Sequence, residues 1–167
     1  MTAALSLSAA FAKAEESGEM VLTIGGEEQH FRLDPKQSDW GGGKGEGSGP
    51  DLMIPTIMGW AADEKTREHY GVFSLSFTMY DDDISSPELQ LSRKVGDTWE
   101  QLFASDEKGG LTLEISEHQI DGFTATVSGT FTADMGVTPN YGRDVDLTNP
   151  LAVSGRFTAV LNSNKND

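Results

Sequence analysis

The chain has 167 residues, 27 of them acidic against 12 basic, for a formal charge of −15. That length predicts one domain with room for a proper core. The charge repels phosphate backbones and anionic lipid, which argues against nucleic acid and electrostatic membrane docking. With no cysteine there is no disulfide, thiol nucleophile or thiolate metal site. His30, His69 and His118 stand too far apart in sequence for a zinc-ligand spacing.

The first 14 residues, MTAALSLSAAFAKA, are small and apolar and are followed at once by Glu15, Glu16 and Ser17. They read as the middle and end of a secretory signal lacking its basic start, with Ala10-Phe11-Ala12 and Ala12-Lys13-Ala14 both fitting a small-x-small cleavage rule. The alternative is a short N-terminal helix of good helix formers. No apolar run is long enough to span a membrane as a helix.

From residue 18 the pattern has period two, the mark of strands with one buried face. Met20, Leu22 and Ile24 alternate with Val21 and Thr23; Gly25-Gly26-Glu27 turns the chain, and Phe31 and Leu33 continue on the return strand of a hairpin. Residues 34–50, DPKQSDWGGGKGEGSGP, carry too much glycine and charge to bury surface and read as a flexible loop inside one domain spanning 15–167. DLMIPTIMGWAA resumes an apolar segment that Pro55 marks as an edge or bent strand. Residues 61–69 predict a helical turn or two, with Asp63 and Arg67 at a helix-pair spacing.

A meander follows. Phe73, Leu75, Phe77 and Met79 alternate with polar residues, and Asp81-Asp82-Asp83 with Ser85-Ser86-Pro87 close that strand. Leu89 and Leu91 open the next strand, Val95 to Thr98 turn into one carrying Trp99, and Leu111, Leu113 and Ile115 mark another. The clearest strand puts Phe123, Ala125, Val127, Phe131 and Ala133 on one face. Its Ser128-Gly129-Thr130-Phe131-Thr132-Ala133 recurs as Ser154-Gly155-Arg156-Phe157-Thr158-Ala159. We read the two as antiparallel neighbours in which each glycine sits beneath the partner's aromatic ring. Their connection, 134–150, is longer than a hairpin turn and long enough to carry function. About eight or nine strands follow from this count, an all-β fold that is either an antiparallel sandwich or a barrel.

No motif carries chemistry outright. Asp81, Asp82, Asp83, Asp144 and Asp146 sit in oxygen-rich loops of the kind that coordinate calcium, though solvated turns give the same pattern and neither stretch follows the EF-hand order. Trp40, Trp60 and Tyr141 are candidate ligand contacts; Trp40 beside a flexible loop could fold over a sugar ring or plug one end of the fold. Trp99, at a strand start, reads as core. Glycine-rich Gly41 to Gly45 lacks Walker spacing, and there is no G-x-S-x-G elbow. No cofactor is indicated apart from possible calcium.

The opening GEMVLTIGGEEQHFRL and the closing SGTFTA and SGRFTA strands resemble a type common among small exported bacterial all-β domains of unknown function. That resemblance implies an envelope location and a sandwich or barrel, and brings no catalytic residues. Lipocalin-like proteins carry a G-x-W element; here the nearest pieces are Gly59-Trp60 and Asp39-Trp40, which depart from it. The leading expectation is a non-enzymatic binding or interaction module, periplasmic or secreted. Its partner would be an envelope protein or glycan, with 34–50 and 134–150 as contact regions. The alternatives are a hydrolase acting on a glycan through a carboxylate pair and a calcium-stabilised structural domain.

Overall fold

Strict alternation of buried and exposed residues runs through most of the chain between residues 17 and 164, the part that the computed structural model describes. The signal-like stretch 1–14, and the short helix that is its alternative, lie outside these residues. In chain order the elements are β1 (Gly18–Ile24), β2 (Glu27–Leu33), β3 (Asp39–Gly43), β4 (Leu52–Ala61), α1 (Glu64–His69) and β5 (Tyr70–Tyr80). They continue with β6 (Asp83–Val95), β7 (Thr98–Ser105), β8 (Thr112–Asp121), β9 (Thr124–Val137) and β10 (Asp146–Ser163).

All ten strands join one sheet in the order β2-β1-β10-β3-β4-β5-β6-β7-β9-β8. Two further pairings, β2 with β4 and β9 with β10, return the ladder on itself and make a barrel rather than a sandwich. Every pairing is antiparallel except a two-residue parallel contact between β3 and β10.

The first hairpin is as expected: Met20 faces Phe31 in register, and Gly25 and Gly26 take φ of 60° and 83° in the turn. The repeated Gly-x-Phe strands are neighbours too. Gly155 is in register with Phe131 and Phe157 with Gly129, and a Cβ on Gly155 would stand 2.3 Å from the tip of the Phe131 ring. Both rings therefore lie over glycine backbone inside the barrel.

Four details differ from the sequence reading. The segment read as a loop at 34–50 contains β3, because Asp39 to Gly43 zip onto Leu52 to Thr56 of β4. The Asp81-Asp82-Asp83 turn is tighter than expected. Asp81 takes φ of 50°, β6 starts at Asp83, and Ser86-Pro87 is a kink within it, with Ser86 at φ 51° and a register break opposite β5. Phe123 precedes β9 and is 64% exposed, so it does not belong to the core face. The last connection shrinks to 138–145, since β9 runs to Val137 and β10 starts at Asp146.

One apolar cluster fills the barrel. Phe31, Phe73, Leu75, Ile57 and Leu89 are fully buried in it, and Phe31 and Phe73 meet edge to face with centroids 5.2 Å apart. Core residues alternate with an outer face of Ser, Thr and charged side chains, the reverse of a membrane-spanning barrel. Among the described residues no helix is long and apolar enough to cross a membrane.

Candidate functional site

Both ends of the barrel are stopped. At one end Trp40, 3% exposed, joins the core, and its Nε1 donates to the Phe123 carbonyl at 3.1 Å. The indole plugs that end, and a cleft of 360 Å³ beside it is lined by Trp40, Lys44, Ile120 and Phe123 among others. At the other end α1 crosses from β2 towards β6. Asp63 caps it by accepting from the Thr66 amide at 2.7 Å, and the buried Thr66 hydroxyl accepts from the His30 amide at 3.1 Å. Just after α1, Tyr70 is in register with Arg93, whose Nη2 pairs with Glu100 at 2.7 Å, and burial pushes the Tyr70 phenol up against the opposing pull of Arg93. With a filled interior and plugged ends, the surfaces open to a partner are on the outside.

Strands β4 to β7 carry exposed large hydrophobic side chains, Ile54, Tyr80, Val95 and two indoles among them. Trp60 on β4 is 49% exposed and Trp99 on β7 is 51% exposed. Trp99 thus points away from the core that its strand-start position suggested. The physical reason is parity: Leu102 and Ala104 of β7 face inward, so Trp99 and Gln101 face out, while Phe103 is buried against Gly142 of the 138–145 turn rather than in the core cluster. The Trp99 ring reaches across β6, and a Cβ on Gly71 of β5 would stand 3.2 Å from Trp99 Cζ3. Val72, the next residue, is the register partner of Trp60. The two indoles therefore flank Gly71-Val72 at a bulge of β5, where Ser92 Oγ accepts from the Val72 amide at 2.6 Å. Arg32 is in register with Trp60, and Lys94 with Trp99.

The two segments expected as contact regions border this face. Trp60 Nε1 donates to Asp34 at 3.4 Å, and the Lys36 amide, foremost among its donors, holds the Asp34 carboxyl below its usual range. On the far side the turn 138–145 folds onto β7. The Thr138 amide donates to the Gln101 carbonyl, Gly142 lies against the Phe103 ring, and Lys108 Nζ donates to the carbonyls of Gly142 and Arg143 at 2.7 Å each. Tyr141, at φ 56°, stands 81% exposed on that turn.

The acidic candidates work in turns. Asp81 accepts from the Asp51 amide at 2.8 Å, and Asp82 faces His118 at 3.9 Å. Asp144 accepts from Asn140 Nδ2 at 2.6 Å. Asp146 accepts from Thr148, which lowers its pKa. Asp81 to Asp83 belong to the β5–β6 turn and Asp144 and Asp146 to the β9–β10 connection, so the two sets do not combine. Among the described residues no three His, Asp or Glu side chains gather as a metal set. Nor are Trp40, Trp60 and Tyr141 brought to one point: Trp40 is inside, Trp60 stands on the outer face of β4 and Tyr141 on the β9–β10 turn, while Trp99 is exposed on the outer face of β7.

No protein-family model matches the chain, no curated protein is similar to it at a significant level, and no solved structure matches it.

Proposed function

We propose that the protein is a non-enzymatic binding module whose contact surface is the outer face of β4 to β7. The observation that carries this reading is the pair of half-exposed indoles, Trp60 and Trp99, flanking Gly71-Val72 on one face of a filled barrel. Large aromatics left half in water on rigid strands are recognition elements, offering apolar area at low entropic cost. Alongside them stand Arg32, Lys94 and Asp34, which supply hydrogen bonds of both senses. A glycan suits this mixture, since a sugar presents an apolar face for stacking and hydroxyls for polar neighbours; a protein surface of the bacterial envelope is the other candidate partner. The envelope location rests on the composition of residues 1–14.

Envelope glycans titrated against the protein test this through tryptophan emission, because Trp60 and Trp99 report contact while Trp40 is shielded. A binding glycan should quench or shift the emission, and Trp60→Ala with Trp99→Ala should abolish the response. Unchanged binding by that double variant would overturn the assignment. Intact mass of the native protein from fractionated cells checks the location: a periplasmic species beginning near Lys13 or Glu15 is expected.

A further inference from the structure

The cleft of 360 Å³ at the Trp40 end of the barrel is walled by Trp40, Ile120 and Phe123 together with the bare backbone of Gly43 and Gly122. Its volume falls at the low end of the range for small-molecule sites, and the mouth of a β-barrel is a common place for them. Hydrogen bonds hold these walls in place. The Phe123 carbonyl accepts from Trp40 Nε1 at 3.1 Å and from the Ser163 amide at 2.7 Å, which ties the β8–β9 turn to the plug and to the end of β10. On the other side the Gly45 amide donates to Asp51 at 2.8 Å and fixes the chain just after Lys44. A Cβ on Gly43 or Gly122 would meet nothing within 4 Å, so the protein does not fill the space beside either glycine. Phe123 is 64% exposed on a backbone pinned by two donors, which presents an aromatic ring ready for stacking.

Charge selects the occupant. The chain has 27 acidic residues, yet none lines this cleft, and Lys44 is its one charged lining residue. Lys44 is exposed and, among the described residues, makes no ion pair. An apolar hollow with a single cation at its rim is complementary to a molecule with an apolar body and an anionic end. The aromatic walls suit a ring, and glycine backbone lets a planar one approach closely.

We propose that this cleft binds a small aromatic carboxylate, with its ring against Phe123 and its carboxylate at Lys44. The site is separate from the Trp60–Trp99 face and does not depend on what that face binds.

The test titrates naphthoate into the isotopically labelled full chain and follows backbone amide and indole N–H resonances by NMR. Naphthoate should shift the amides of Gly42, Gly43 and Gly122 and the indole N–H of Trp40, and leave the indoles of Trp60 and Trp99 unmoved. The neutral naphthalenemethanol should bind about threefold more weakly, and naphthylmethylammonium more weakly still. Phe123→Ala removes an exposed ring but keeps the carbonyl that Trp40 uses, and should weaken naphthoate binding by about tenfold. Lys44→Gln should cost about threefold and erase the preference for the acid over the alcohol. Absence of shifts, or shifts centred on Trp60 and Trp99, would overturn the proposal. So would equal affinity for the acid and the alcohol in the unmodified chain, or naphthoate affinity untouched by either substitution.

Discussion

Gly155 shows how little freedom a single interior position has. Its Cα is in register with Phe131, and an added methyl would fall 2.3 Å from one ring carbon and 2.7 Å from another. The ring is itself buried in the core, so it has nowhere to retreat without disturbing neighbours. Gly155→Ala should therefore destabilise the fold by about 1–3 kcal/mol through overpacking, read as a lowered denaturant midpoint. Pairing it with Phe131→Leu should recover part of the loss; additive losses would show that the ring is not what the methyl meets. Trp99 makes a second point at this scale. An aromatic at a strand start is compatible with either face, and only the inward parity of Leu102 and Ala104 sends it outward.

Among the elements, α1 is the least secured by packing, since Thr66 is its buried residue. Its hold comes from caps: Asp63 at the start, and Tyr70 at the end, whose amide donates to the Thr66 carbonyl. The Thr66 amide, as the largest cause, lowers the Asp63 pKa. A carboxyl lowered on folding contributes stability that is present above its unfolded value and lost as pH falls through the folded one. The wild-type urea midpoint should thus drop on going from about pH 6 to about pH 3 by more than that of Asp63→Asn, which keeps an acceptor but does not titrate. Asp63→Ala should cost about 0.5–1 kcal/mol at neutral pH, at the low end because the cap is solvent-exposed. Equal acid sensitivity in wild type and Asp63→Asn would locate the acid effect elsewhere.

For the whole molecule, the charge of −15 acts as a distributed self-repulsion. Few cations relieve it locally: Arg156 pairs with Glu28 at 2.8 Å and lowers that carboxyl's pKa, and Lys65 pairs with Glu27 at 3.1 Å. Added sodium chloride should raise Tm, most steeply below about 0.15 M, where the Debye length exceeds ~8 Å. A flat or falling Tm would mean that the attractive pairs outweigh the repulsion. Closure is the other property of this scale. The first strand, β1, pairs with the last, β10, so the ring is completed only when strands far apart in sequence meet.

How much of this was legible in the residues depends on the range of the cause. Local alternation determined the all-β class, the first hairpin, the short helix near 61–69 and the pairing of the two Gly-x-Phe strands, because period-two burial and turn glycines act within a few residues. Closure into a barrel was not legible, since it rests on the contacts of β2 with β4 and of β7 with β9, each only two or three residues long between strands distant in sequence. The same holds for β3: Gly41 to Gly43 have no side chains to signal a strand, and their pairing with β4 supplies what their composition does not. For the candidate sites, sequence named Trp60 but could not place Trp99 on the same side of the sheet, since β4 and β7 are separated by β5 and β6.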